Sequence, residues 1–432
     1  VTKLLQRCVA AAALIAATIT GIAQPAGAAP SRVPPDTFGI NGNGLYDLGR
    51  PARRLQAQRI AEQGITFVRR EATWYSIEPE APQLNLWTLK QTHEYRWDEG
   101  TAARRGSGFD GFVYDLASAG LRWQPVLGFS PRWASRNSWD AQNFMFYPPY
   151  NNDDFGEFAA AFAARYGRNG TFWRAHPELD ASLYVKVYEI WNEPNLGGNW
   201  RPKPDPAAYG ALWKTAHFFM SRTDPAFADQ AVIVGSLGAA PENWLHADGT
   251  YDYRDIDFVH EMFLAHPEIR GATKGIGYHP YAGQPLGLAP QDPVRTPEDL
   301  VRRMRNELVN GVNLPQLEIY VTELGYPTQG AGPFVVIPSD VDRGEAFYRT
   351  ASELTRSDCH VREYVPHTWL SLEQNPADQL HWMGIWNADT NATGKASGRR
   401  YGDVVRLLRG LTPIDPTIDP LVGPTVPICA GI

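Results

Sequence analysis

Three observations predict a single (β/α)8 barrel. Short β-branched and aromatic runs alternate eight times with helix-period segments, and strands alternating with helices imply a parallel sheet that eight such units can close. Two of the strand candidates run straight into a glutamate followed by a chain breaker. The rival architecture, an open doubly wound sheet, is disfavoured because the sequence has neither a GxGxxG turn after the first strand nor a Walker-type GK[ST] loop.

The units follow in order. The first pairs strand Thr37–Asn41 with helix Ala52–Gln63, closed by Gly64; the second pairs Thr66–Arg70 with Phe109–Ala119, closed by Gly120. Trp123–Leu127 leads to a helix over Asp154–Arg165, with Asp154 read as its N-cap. Val185–Ile190 precedes Pro206–Ser221, where Asp205 caps and Pro206 fits the first turn. Ala231–Gly235 and Ile256–Ala265 form the fifth unit. Gly275–Tyr278 and Pro297–Asn310, capped by Thr296 and closed by Gly311, form the sixth. Leu317–Thr322 is followed by Val341–Thr355 behind a Ser339 cap, and Tyr364–Leu370 by Tyr401–Leu408. Two connections exceed what a bare barrel needs: Glu78–Gly108, with Trp87 and Trp97, and Ser371–Arg399, with Trp382 and Trp386. Both follow strands, so both are expected to wall the catalytic face.

Composition narrows the function classes. The 432 residues are 43% apolar, 20% charged and 12% aromatic, which is globular. A formal charge of −7, with basic residues scattered singly, argues against nucleic acid as a partner. Lys3 and Arg7 precede a charge-free stretch from Cys8 to Ala23, and Ala26-Gly27-Ala28 supplies the small residues of a cleavage site. Residues 1–29 therefore read as a secretory signal peptide. Gly21, Gln24 and Pro25 interrupt the run before the roughly 20 residues a membrane span requires, so no span is expected in the mature chain. Residues 30–410 are assigned to the barrel and residues 411–432, rich in proline, to a tail. Secretion would leave Cys359 and Cys429 where disulfides persist, and their pairing would pin that tail to the barrel; two buried free thiols are the alternative.

The chemistry centres on two strings. In YEIWNEPN, Tyr188–Asn195, an apolar strand runs into Glu193, and Pro194 is expected to bias that glutamate toward extended backbone. In IYVTELGY, Ile319–Tyr326, the strand runs into Glu323 ahead of Gly325 and Pro327. An acid ending a hydrophobic strand is costly unless it is solvated or working. These strings resemble those of glycoside hydrolase clan A, the retaining (β/α)8 glycosidases, over nearly the whole chain after the leader. The WNEPN string and the YHPY segment, Tyr278–Tyr281, lie nearest to family 39, with family 5 next.

The resemblance implies that Glu193, on the fourth strand, is the general acid/base and Glu323, on the seventh, the nucleophile. It further implies that Asn192 binds the sugar 2-hydroxyl and that Arg69, His279 and Tyr281 line the substrate site. Tyr281 and Arg69 would also hold Glu323 as an anion. Arg69 with Glu71 and Trp74 resembles the clan's run after the second strand, with Glu71 in place of the usual Asp; a structural ion pair between Arg69 and Glu71 is the alternative. FSPRWAS, Phe129–Ser135, resembles the segment after the third strand and brings in Trp133, while Trp369 matches the sugar-stacking tryptophan after the eighth. Core packing is the alternative for each of these rings.

The expected function is that of a secreted retaining β-glycosidase acting on oligosaccharide, polysaccharide or glycoconjugate. An inactive glycan-binding barrel and a transglycosylase using the same glutamates are the competing readings. No cofactor or metal is expected, since there is neither an HExxH nor a close His/Cys cluster, and no GxSxG marks a serine nucleophile.

Overall fold

The computed structural model describes residues 31–86, 90–98, 108–223, 225–240, 242–283, 295–388, 394–412 and 426–432. Residues 1–29, expected to be a leader, Trp87 and most of the expected tail lie outside them. Eight parallel strands form one sheet in sequence order: β1 Gly39–Asn41, β2 Phe67–Thr73, β3 Arg122–Gly128, β4 Val187–Asn192, β5 Ala231–Gly238, β6 Gly275–His279, β7 Glu318–Leu324 and β8 Val361–Pro366. The Tyr364 N–H donates to Thr37 O at 2.8 Å and Phe38 bridges Tyr364 in parallel, which closes β8 onto β1. The protein is a (β/α)8 barrel.

Among the described residues, eight longer helices alternate with the strands: α1 Arg50–Glu62, α2 Phe109–Ala117, α3 Asn152–Tyr166, α4 Pro206–Met220, α5 Asp255–Ala265, α6 Pro297–Asn306, α7 Asp340–Thr355 and α8 Ala396–Leu408. Three of the four expected caps are in place. Asp205 and Ser339 accept from the backbone of their first turns, and Thr296 forms a full capping box with Asp299. The fourth differs: α3 is capped by Asn151, which accepts from Asp153 N, and Asp154 sits inside the first turn. Two acids in that turn, Asp153 and Asp154, suit the positive helix end, so the start moves back without losing the favourable electrostatics. Gly64 and Gly120 take φ of +82° and +77° after α1 and α2, as helix-closing glycines do.

The strand ends position the site. β4 and β7 run two residues beyond their expected ends and deliver Asn192 and Glu323 to the C-terminal mouth. β8 stops at Pro366, earlier than expected, and the chain then turns inward to bury Trp369. At the other end of the chain, Cys359 and Cys429 form a disulfide, and Val426 pairs with Ser357, so the last residues are fastened beside β8. Among the described residues no helix is long and apolar enough to cross a membrane.

Candidate active site

Glu323 is held from several sides. It is 8% exposed, and its Oε1 accepts from Arg69 Nη1 at 2.5 Å and from Asn41 Nδ2 at 3.3 Å. Its Oε2 accepts from the Tyr281 hydroxyl at 2.8 Å and lies 3.8 Å from His279 Nδ1. Burial alone would push this carboxyl up; the neighbouring His279 and the Arg69 guanidinium outweigh it and, with the Tyr281 hydroxyl, hold it well below the usual carboxylate range.

Glu193 faces it across the same imidazole. Its Oε1 is 2.8 Å from His279 Nδ1 and its Oε2 accepts from Asn199 Nδ2 at 2.8 Å. The two spans to His279, laid end to end, keep Glu193 Oε1 and Glu323 Oε2 within about 6.6 Å of each other, a limit compatible with the roughly 5–5.5 Å carboxyl spacing of a retaining pair. Glu193 is not extended, as Pro194 led one to expect. It takes φ of +47°, and Trp191 takes +67°. Non-glycine residues enter this region at a cost of order 1–3 kcal/mol, which surrounding contacts must impose. Here the Glu193 N–H donates to Ser236 O at 2.8 Å and the Trp191 indole N–H to Asn199 O at 2.7 Å, anchoring the turn on both sides of Asn192.

Arg69 is fully buried and does not face the cleft, so its assignment as a substrate contact is corrected to one beneath the site. Its Nε and Nη2 bind Glu189 at 2.9 Å, Nη2 also reaches Asn192 Oδ1 at 2.9 Å, and Nη1 binds Glu323. The alternative ion pair with Glu71 is not formed by hydrogen bonding; Glu71 instead pairs with Arg70. Asn192, His279, Tyr281, Glu193 and Glu323 all line one cavity of about 550 Å³ at the barrel mouth.

The tryptophans are elsewhere. Trp369 is fully buried, stacked on Trp386 at 4.6 Å and bonded to Gln56 Oε1, because β8 ends early and folds it behind the sheet. Trp74 is fully buried against Phe158, with its indole N–H on Glu78. Trp133 is half-buried, edge-on to Trp74 and bonded to Glu78 O, and is not among the cavity's lining residues. Trp74 and Trp369, being fully buried, present no open face to a sugar, and Trp133 lies outside the lining of this cavity. Trp97 likewise packs on Phe162 and Tyr166, so the described part of the Glu78–Gly108 connection does not wall the cleft, whereas Ser371–Arg399 does through Gln379 and Leu380.

Sequence reasoning missed several residues that the structure brings to the site. Asn41 and Asn43 come from β1 and its loop, and Asn43 Nδ2 donates to His367 Nε2 at 3.0 Å. Glu189 was visible inside YEIWNEPN and, on strand alternation, shares the inward face with Val187, which packs on Ile233 and Tyr320 inside the barrel; an acid on that face was the available signal. Phe334, Trp244 and Leu196 complete the walls from loops that carry no motif.

No protein-family model and no curated protein sequence matches the chain. Solved structures do resemble it. A family 39 glycoside hydrolase from the gut symbiont Bacteroides cellulosilyticus WH2 superposes with a TM-score of 0.54 at 18% identity, over 88% of this chain and 64% of that protein. The chain thus spans less than two thirds of that protein's length. The GH5_18 protein from Streptomyces cattleya, solved with Manb1-4GlcNAc, gives 0.52 at 15% identity over 86% and 80%. The catalytic domain of the GH30 xylanase C from Talaromyces cellulolyticus gives 0.50 at 11% identity over 90% and 78%. At these identities the likeness establishes the barrel fold.

Proposed function

We propose that the chain is a secreted retaining β-glycosidase in which Glu323 attacks the anomeric carbon and Glu193 serves as acid and then base. The observation that carries this reading is the convergence of two glutamates, from the ends of β4 and β7, on the single imidazole of His279, with only one of them tied to Arg69. That asymmetry divides the labour. The carboxylate beside a buried guanidinium stays ionised and can act as nucleophile, while Glu193, lacking such a partner, is placed to give a proton to the departing oxygen.

Formation of the glycosyl ester breaks the bond from the anomeric carbon to the leaving oxygen as Glu193 protonates that oxygen. Glu193 then takes a proton from water, which attacks the ester and frees Glu323. Asn192 Oδ1 is engaged by Arg69, so its Nδ2 is left to donate to a sugar hydroxyl, a contact that strengthens as positive charge develops at the anomeric carbon. Secretion is supported by the leader-like residues 1–29 and by the Cys359–Cys429 disulfide, which suits an oxidising compartment. The neighbours' fold agrees with this reading.

The test is trapping with 2-deoxy-2-fluoro glycosyl fluorides. Their glycosyl esters hydrolyse slowly, so a retaining enzyme acquires one sugar mass on the peptide bearing Glu323. An active protein that shows no adduct, or one that carries it on another residue, refutes the assignment.

A further inference from the structure

The base of the barrel, at the opposite end from the two glutamates, holds a second cavity of about 190 Å³, roughly six water volumes. Its walls come from the starts of strands. Arg122 begins β3, Lys186 precedes β4, Lys274 precedes β6, and Arg362 and Glu363 lie one and two residues into β8. Val187 and Tyr320, which pack with Ile233 inside the barrel, lie beside them in the lining.

Charge in this cavity is lopsided. Asp36 accepts from Arg122 Nη1 at 3.0 Å and from Lys186 Nζ at 3.3 Å, so two cations share one carboxylate. Asp229 also lines the cavity, but it is exposed and pairs with Arg168 outside it. Lys274 and Arg362 have no ion pair among the described residues, and Arg362 Nη1 is buried without a hydrogen-bond partner there. This positive excess stands in a chain whose formal charge is −7. Two of the groups are built into the barrel and not merely displayed on its surface. Arg122 is 4% exposed, with its guanidinium over the Phe67 ring, and Glu363 is 1% exposed, with no partner for its Oε2 among the described residues. Burial pushes the Glu363 carboxyl up to about 8, so at neutral pH it presents an O–H and adds no negative charge.

A buried polar atom without a partner and a cation without a counter-charge are each costly. One ligand that is anionic and accepts hydrogen bonds answers both. Guanidinium forks match the edges of a tetrahedral oxyanion, and ammonium groups add point charge. We propose that this cavity binds a tetrahedral oxyanion of phosphate or sulfate size, held by Arg122, Arg362, Lys186 and Lys274 with the Glu363 carboxyl as a further partner. Such an ion ties the starts of β3, β4, β6 and β8 together across the base. The inference does not depend on the glycosidase reading.

The test titrates the protein calorimetrically at pH 7, in HEPES with sodium chloride at constant ionic strength, with sodium phosphate, sodium sulfate and further sodium chloride as the control. We expect saturable binding of one phosphate or sulfate per chain with a Kd below about 1 mM, and none with the control. Lys274→Met, at an exposed position that supports no core, should weaken that binding at least about tenfold, as the loss of one charge-assisted hydrogen bond provides, and Arg362→Met should do likewise. At low millimolar concentration the same ions should raise the thermal midpoint of the wild type more than that of Lys274→Met. Preferential exclusion, by which these ions stabilise proteins in general at high concentration, does not distinguish the two. Neither saturable heat nor a raised midpoint with either oxyanion overturns the site, and so does an affinity that Lys274→Met leaves unchanged. Should Arg362→Met fail to fold, Lys274→Met decides alone.

Discussion

Replacing Glu363 with glutamine tests the electrostatics of the barrel interior without touching the cleft. Glu363 sits on β8 near the base of the barrel, 1% exposed, and its Oε2 has no hydrogen-bond partner among the described residues. Burial pushes its carboxyl from 4.5 up to about 8, against the opposing pull of Arg122 and Arg362. The folded state therefore keeps the proton over a range in which the unfolded chain has lost it. Below pH 4.5 both states are protonated and Glu363 costs nothing; from there to about pH 8 stability falls as pH rises, and above that it levels. At about 1.36 kcal/mol per pH unit, that interval corresponds to a loss of about 5 kcal/mol. Glutamine cannot ionise, so the wild type should lose about that much relative to Glu363→Gln between pH 4.5 and 8.5. Urea unfolding followed by tryptophan fluorescence at pH 4.5, 6.5 and 8.5 measures the difference. If the gap between the two proteins stays constant within about 1 kcal/mol across those pH values, the carboxyl is not held neutral and the reasoning fails.

The remaining predictions concern the cleft and the tail. Glu323→Ala should fold and lose at least about a thousandfold in rate, with azide restoring part of it as an inverted glycosyl azide; near-normal activity in the folded variant removes Glu323 as nucleophile. Glu193→Ala should flatten the alkaline limb of the rate profile and keep far more activity on dinitrophenyl glycosides than on those with poor leaving groups; equal losses on both place the acid elsewhere. Because Glu323 is held below its ordinary 4.5, the acid limb should lie below that value, and a nucleophile that titrates above pH 5 contradicts the Arg69 contact. Cys359→Ser with Cys429→Ser should cost up to roughly 4 kcal/mol, the chain-entropy figure for a separation of 70 residues, measured as a shift in thermal midpoint in the absence of reductant.

The barrel was legible because its signals are local. Strand runs, breakers and caps repeat with the period of the units, and all eight strands lie where β-branched and aromatic residues cluster. Glu193 and Glu323 were legible because each interrupts an apolar run. The rings were not. Trp74 and Trp369 are as aromatic on the page as any platform residue, and only the path of the chain after β2 and β8 decides that both turn inward. The backbone at Glu193 was misread for a related reason: proline's preference for an extended predecessor is a weak local term, and the bonds to Ser236 O and His279 override it. The cavity's walls come from loops distant in sequence, and their residues gain meaning only once they share a surface.

The position of Arg69 bears on how a buried cation could serve the proposed nucleophile, Glu323, which would change its charge in the reaction. In the proposed first step Glu323 becomes a neutral ester, and a guanidinium buried against that one carboxylate would be left unpaired, at a cost of about 3–5 kcal/mol. Arg69 is not left so. Glu189 binds its Nε and Nη2 throughout, with Gln124 and Ser236 in turn bonded to Glu189, so the cation has a permanent counter-charge and lends one N–H to Glu323. The same division keeps the free carboxylate reactive, since a nucleophile that monopolised the arginine would be too well stabilised to attack. Glu189→Gln removes the permanent partner. Arg69 is then left with Glu323 as its hydrogen-bonded carboxylate, which should move the acid limb to still lower pH and slow glycosylation by about tenfold or more, a combination that simple loss of structure does not produce. A Glu189→Gln protein with lowered stability but an unmoved acid limb would show that Glu189 supports the barrel only, and that the charge of Arg69 is not shared.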